Sequence, residues 1–313
     1  MDEAQVKEVL DQLFLEARVP SVSFTGGEAT IRKDLPELVH YAKNLGMRVN
    51  LITNGTLVSR SLAEELASSG LASAQVSLEG VTAETHEKLT RIRGSFRKTL
   101  AAVGHFQEAR VRVHTNTTIN RENLLECLEM PGFVKRELER PRFSMNLLIP
   151  TGSATLAGSL VVGYGEIGPY LAQILEASRK EEVEFMWYSP TPLCLFNPIA
   201  HQLGNKGCSA CDGLISIAAN GDVLPCSSYD DPVGNLLKEN ILAIWNSEKS
   251  CWYRNKKFAH QKCQSCVDFQ VCHGACPIYW REQGFGELEF EFGNQPEKGE
   301  GKECFCQKPM NAV

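Results

Sequence analysis

The stretch CQSCVDFQVCHGAC, residues 263–276, holds four cysteines in fourteen residues and constrains the chain more than any other feature. Thiols this close serve as disulfides, as zinc ligands or as iron–sulfur ligands. Of the twelve cysteines only Cys127 precedes residue 190, and the other eleven fall between Cys194 and Cys306. The N-terminal run MDEAQVKEVLDQLF is acidic and amphipathic, unlike a signal peptide or a basic transit peptide. A cytoplasmic setting is therefore expected, and there clustered cysteines read as metal ligands rather than disulfides. No apolar run is long enough to span a bilayer, and a net charge of −6 weighs against nucleic-acid or anionic-membrane surfaces. Neither nucleic acid nor membrane is expected as a partner. The length of 313 residues fits two domains, and cysteine content divides them into 1–184 and 185–313.

The first half repeats strand and helix. Residues 3–17 place Val6, Val9, Leu10, Leu13, Phe14 and Ala17 on one helical face. After the strand VPSVSFTGG, Asp34 and Glu37 predict a capping box, and Gly46 sits where a C-terminal cap belongs. Strands follow at MRVNLITNG, SAQVSLEG, RVRVHTNTTIN and FSMNLLIPTG, separated by helices over about 61–70, 82–109 and 121–138, with another over about 166–181. Strands alternating with helices demand parallel pairing, because each crossover returns the chain to the same end of the sheet. All five strands end in small or polar residues: TGGE, TNGT, SLEG, NTTIN and PTGS. Ligands of parallel α/β folds bind at the carboxyl ends of strands, so these endings form the candidate rim. Gly26 and Gly27 let a ligand approach the backbone, and Glu28 offers a carboxylate to an ammonium group; the alternative is a glycine turn beside a surface glutamate.

In the second half Cys263, Cys266, Cys272 and Cys276 read C-x2-C-x5-C-x3-C. Upstream, Cys208, Cys211 and Cys226 flank two short β runs joined by Asn220-Gly221, which predicts a type I′ hairpin. Cys304 and Cys306 follow downstream, giving nine cysteines for two four-thiolate sites. Spacing favours iron–sulfur over zinc, because only Cys208/Cys211 and Cys263/Cys266 form C-x2-C pairs and the remaining ligands are dispersed, as iron–sulfur sites allow. Cys127 and Cys251 read as free buried cysteines, His273 as a loop residue, and Cys194 is unassigned.

Together the halves resemble the radical S-adenosylmethionine (radical SAM) enzymes that carry a SPASM domain. GGEA, residues 26–29, is similar to that superfamily's GGEP motif, with Ala29 in place of proline. CDGLISIAANGDVLPC is similar to the SPASM pattern C-x9–15-G-x4-C, and CQSCVDFQVCHGAC to its second pattern. The resemblance implies an α/β fold: a partial (β/α)6 TIM-like barrel lacking its first strand, followed by a SPASM domain with a β-hairpin. It implies that Gly26, Gly27 and Glu28 hold the methionine end of S-adenosylmethionine (AdoMet), and that Asn54, Ser77 and Glu79 contact the rest. It implies two auxiliary [4Fe–4S] clusters, one on Cys208, Cys211, Cys226 and Cys276, the other on Cys263, Cys266, Cys272 and either Cys304 or Cys306.

The family also ligates an AdoMet-cleaving cluster through C-x3-C-x2-C, and residues 1–313 contain no such triplet. A late start codon or a shortened chain is expected, with loss of radical function as the other reading, and a third [4Fe–4S] cluster only in a full-length form. The implied activity is that of an oxidoreductase or maturase. AdoMet is cleaved to a 5′-deoxyadenosyl radical that abstracts hydrogen from a peptide or protein substrate, with a flavodoxin- or ferredoxin-type electron donor. The alternatives are a non-catalytic iron–sulfur protein that binds a peptide or carries electrons, and a zinc-stapled binding domain. The sequence names no catalytic side chain.

Overall fold

The computed structural model describes residues 1–152 and 158–293. Six strands form one parallel sheet in chain order: β1 (Ser21–Phe24), β2 (Arg48–Thr53), β3 (Ser73–Ser77), β4 (Arg112–Ile119), β5 (Arg142–Leu147) and β6 (Glu184–Trp187). Helix α1 (Glu3–Asp11) precedes β1, and α2 (Leu35–Leu45), α3 (Arg60–Ser68), α4 (Ala83–Thr90), α5 (Ser95–Glu108), α6 (Met130–Arg136) and α7 (Tyr164–Lys180) cross between the strands.

Side chains alternate across a strand, and the two faces of this sheet differ sharply. Val49, Leu51, Ala74, Val76, Phe143 and Met145 are buried on one face. They share the core with Leu38, Val39 and Ala42 of α2 and with Ala102, Val103 and Phe106 of α5. Each large apolar side chain buried there contributes about 1.5–3 kcal/mol. The opposite face is mostly polar. Ser77 aligns with Asn116, Asn116 with Ser144 and Ser144 with Met186, giving one row across four strands. This is the inner face of a partial barrel, and it ends at the candidate rim.

Several expectations are corrected. Asp34 makes no side-chain cap, because the Arg32 guanidinium takes its carboxylate (Nε–Oδ1 2.9 Å). The capping box is instead at Asp2 and Gln5 of α1. The first helix stops at Asp11 and continues as one wide π-turn over Gln12–Glu16. The helix expected over 82–109 breaks into α4 and α5, where Arg91 and Gly94 both take left-handed backbone. A sixth strand, β6, is too short to stand out by pattern and begins where the cysteine content changes.

The second half builds a three-stranded antiparallel sheet from β7 (Ser216–Ile217), β8 (Asp222–Leu224) and β9 (Gly234–Asn235). The hairpin forms, but not as type I′, since Gly221 is left-handed (φ 86°) while Asn220 is not. Gly221 N–H closes the turn on Ala218 C=O at 2.9 Å. Short helices follow: α8 (Ile241–Trp245), α9 (Glu248–Arg254), α10 (Gln261–Gln264), α11 (Phe269–Cys272), α12 (Pro277–Gln283) and α13 (Gly286–Gly293). The halves meet where Gly165 N–H of α7 donates to Glu287 Oε2 at 2.6 Å and Tyr164 packs on Tyr279 with ring centroids 4.1 Å apart. Among the described residues no helix is long and apolar enough to cross a membrane.

Candidate functional site: a strand-end rim and two thiol groups

At the end of β1, Gly26 has φ 130°, a backbone that disfavours any side chain. A Cβ at Gly26 or Gly27 would meet nothing within 4 Å, so open space lies over this turn. Glu28 is engaged with its own protein. Its Oε1 accepts from Thr30 N–H (3.1 Å), Thr30 Oγ1 (2.6 Å) and Thr53 Oγ1 (2.7 Å), and its Oε2 accepts from Asn54 N–H (2.7 Å). A carboxylate has about four lone-pair sites, and Oε2 uses one of its two. Glu28 therefore straps the ends of β1 and β2 together and keeps one acceptor for a ligand.

Asn54 is likewise half spent. Its Oδ1 caps the Thr56 N–H at 2.8 Å and the Thr56 hydroxyl at 2.7 Å, which leaves the amide nitrogen for a ligand. Ser77 closes β3 on the inner face, and Glu79 follows two residues later on the same side. Glu79 Oε2 accepts from Thr118 N–H at 3.0 Å, and burial without a counter-cation raises its pKa to about 7. A carboxyl held near neutrality at a strand end marks a functional-site candidate. Its own N–H donates to His86 Nδ1 at 3.1 Å. Burial lowers the His86 pKa, so that ring stays neutral and supplies Glu79 no positive charge.

Two residues that hold this rim were not foreseen. The fully buried Asn123 donates from Nδ2 to Glu79 C=O (2.9 Å) and Thr118 C=O (3.0 Å), locking the ends of β3 and β4. Glu126 accepts from Val81 N–H (2.8 Å) and from the Thr82 (2.7 Å) and Thr85 hydroxyls, fixing the loop after Glu79. A Cβ at Gly80 would come within 2.7 Å of Glu126 Oε2, so that glycine makes the approach possible. The ending PTGS runs into residue 153, outside the described residues.

Among the described residues, all cysteines of the second half but Cys251 gather into two groups. In one, the Cys276 thiol has Cys208 and Cys226 as electrostatic neighbours, and Cys208 has Cys226 and Cys211. Cys208 and Cys211 lie on a left-handed turn (Cys211 φ 50°), Cys226 just past β8 and Cys276 at the N-terminal cap of α12. In the other, Cys263 has Cys272 and Cys266 as electrostatic neighbours, and Cys194 has all three. Burial pushes the thiols of Cys208 and Cys263 up to about 11 and that of Cys276 to about 12. A metal taken up here must displace their protons.

These donor sets fit iron–sulfur clusters. Among the described residues no three His, Cys, Asp or Glu side chains converge tightly enough to hold one metal ion. A tetrahedral zinc site would draw its sulfurs to about 3.8 Å apart, from Zn–S bonds of ~2.3 Å. A four-iron cube puts a separate iron behind each sulfur and spreads them wider. Cations border the first group. Buried Lys256 donates from Nζ to Cys208 C=O (2.8 Å) and Asp212 (2.9 Å), and Arg254 Nε donates to Cys211 C=O (3.0 Å). Cys304 and Cys306 lie outside the described residues. Cys127 is buried as expected, whereas Cys251 is only half-buried, with its thiol 3.8 Å from Asn246 C=O. His273 ends α11 in a left-handed turn, with its ring against Gly207.

Residues 1–130 match the model of the radical SAM superfamily, and residues 208–267 that of the SPASM iron–sulfur cluster-binding domain. The AdoMet-dependent heme synthase of Oleidesulfovibrio alaskensis is 28% identical over 304 residues, spanning 90% of this chain and 75% of that protein. The PqqA peptide cyclase of Bradyrhizobium diazoefficiens is 29% identical over 279 residues, 86% of this chain and 71% of that one. The fold is shared with Streptococcus suis SuiB bound to the precursor peptide SuiA, at a TM-score of 0.73 and 20% identity, covering 90% of this chain and 66% of SuiB. It is shared also with AdoMet-bound anSMEcpe, at a TM-score of 0.66 and 19% identity, over 93% and 88% of the two chains. With both family models matched on an α/β sheet that leads into a cysteine-rich domain, the chain belongs to the radical SAM superfamily and carries a SPASM domain.

Proposed function

We propose that this chain is the body of a radical SAM maturase, acting on a peptide side chain or a cofactor precursor. Residues 1–184 bind AdoMet at the strand-end rim, and residues 185–313 hold two auxiliary [4Fe–4S] clusters. The carrying observation is the gathering of SPASM thiols into two groups, in a chain whose parallel sheet ends in an open glycine turn and an uncompensated carboxyl. The relatives support the substrate class: one is named a peptide cyclase, another a heme synthase, and SuiB binds a precursor peptide. When bound beside a reducing cluster, AdoMet supplies a 5′-deoxyadenosyl radical for hydrogen abstraction.

The chain's own residues bind and orient. The open turn at Gly26 and Gly27 receives the methionine end, with the spare lone pair on Glu28 Oε2 facing its ammonium. The Asn54 amide nitrogen, Ser77 and Glu79 offer hydrogen bonds to the nucleoside end. Cys208, Cys211, Cys226 and Cys276 hold one cluster, and Cys263, Cys266 and Cys272, with a fourth thiolate, hold the other. A flavodoxin or ferredoxin supplies the electrons.

The test compares residues 1–313 with the same chain carrying an added C-x3-C-x2-C loop ahead of Met1. Both are reduced with dithionite in the presence of AdoMet. The chain alone should give no 5′-deoxyadenosine above background, because cleavage needs an iron with an open position and residues 1–313 contain no C-x3-C-x2-C triplet to provide one. The extended chain should bind a third cluster and release 5′-deoxyadenosine. Release by the chain alone would contradict the assignment of both thiol groups to closed clusters. An extended chain that gains a third cluster yet never cleaves AdoMet would favour a non-catalytic iron–sulfur protein.

A further inference from the structure

Cys194 sits seven residues beyond β6, between the sheet and the hairpin. Its turn is rigid: Pro190 and Pro192 precede it, and Leu195 N–H and Phe196 N–H both donate to Pro192 C=O at 3.0 Å. The adjacent Leu193 N–H points at Cys272 Sγ, 3.4 Å away. The Cys194 thiol itself has Cys272, Cys263 and Cys266 as its electrostatic neighbours, in that order. It is part-buried and borders a cavity of ≈ 440 Å³ with Gly165 and Glu287, so it is not a core thiol sealed among apolar side chains.

We propose that Cys194 is the fourth thiolate of the second cluster, completing Cys263, Cys266 and Cys272, and that neither Cys304 nor Cys306 is needed for it. This rests on the iron–sulfur reading of the two thiol groups. Three of the four sulfurs come from one C-x2-C-x5-C loop, and the fourth arrives from the segment that leaves the sheet. Four thiols brought together with no metal would repel on ionisation, whereas a cube of iron binds all four. The amide of Leu193 gains a role as well: an N–H donated to a ligand sulfur stabilises the more negative, reduced cluster.

Two consequences follow. With four thiolates the second cluster has no open iron, so it passes electrons and does not bind substrate. The cluster also tethers the exit of β6 to α10 and α11, so losing Cys194 should loosen the join between the halves.

The whole chain is prepared anaerobically as wild type, C194A, C194S, the C304A/C306A double variant and C251A. Iron, acid-labile sulfide and the EPR spectrum of the dithionite-reduced protein are measured for each. Expected for C194A is a fall from about eight irons to about four, with loss of one of two reduced [4Fe–4S] signals. C304A/C306A and C251A should match wild type. C194S, whose oxygen is a poorer ligand for iron, should show a shifted signal for the second cluster, which keeps the test alive where C194A fails to fold. Full iron and unchanged spectra in both Cys194 variants would overturn the proposal, as would loss of a cluster in C304A/C306A. A wild type without iron would instead sink the iron–sulfur reading beneath it.

Discussion

Replacing Glu28 with glutamine keeps the side chain's shape and asks how much the strap between β1 and β2 contributes. The carboxylate accepts four hydrogen bonds, three at Oε1 and one at Oε2. Glutamine has one oxygen, so the cheapest arrangement leaves it facing Thr30 and Thr53. The NH2 group then opposes the Asn54 N–H, which stood 2.7 Å from Oε2. One charge-assisted bond is lost, about 1.5–3 kcal/mol. The bonds that remain fall toward neutral strength, roughly half of the charged value. Glu28 is part-buried, so water recovers some of this, and the net cost should be about 2–4 kcal/mol. Equilibrium denaturation of E28Q, T53V and the double variant would measure it. Thr53 donates to the same oxygen, so the two losses should couple by about 0.5–1 kcal/mol or more. An E28Q protein within 0.5 kcal/mol of wild type, or a strictly additive double variant, would refute the strap.

Glu79 should make stability depend on pH. Its folded pKa of about 7 lies above the ordinary 4.5, so the folded chain holds a proton that the unfolded chain has released. Stability is therefore greatest below about 4.5, declines as pH rises to about 7 and is flat beyond, a total of up to about 3 kcal/mol from this group. E79Q should abolish that slope and unfold at a higher temperature than wild type at pH 8; an unchanged slope in thermal melts from pH 5 to 8 would count against an uncompensated carboxyl. For Lys256→Met the partner Asp212 is 41% exposed and returns to water. The cost is then mainly the charged bond to Cys208 C=O, about 1.5–3 kcal/mol. Losing that cation should also make the first cluster harder to reduce, and a redox titration with an unchanged potential would show that Lys256 does not face it.

Much of the sheet was legible in the sequence. The alternation of Val49, Leu51, Ala74 and Val76 with polar neighbours is local, and parallel pairing follows from the intervening helices. What failed was competition between nearby groups. Asp34 followed by Glu37 matches a capping box, yet Arg32 lies two residues away and its planar fork outbids the backbone. Asn220-Gly221 marks a hairpin but does not choose between turn types. Glu126 and Asn123 were invisible as rim supports because their partners lie about forty residues upstream, and side-chain reach across strand ends leaves no periodicity. Cys194 was likewise unreadable: spacing reports ligands that share a loop, and its neighbours are contributed from residues 263–272.

The proposed function requires that the second half of this chain be built around two iron–sulfur clusters. Iron, sulfide and zinc analysis with Mössbauer spectroscopy of anaerobically purified residues 1–313 tests it most directly. The expected protein is brown, with about eight irons and eight sulfides in two [4Fe–4S] clusters, and either Cys226→Ala or Cys266→Ala should lose roughly half the iron. Stoichiometric zinc from iron-replete cells, with no sulfur-to-iron charge-transfer absorption, would contradict it.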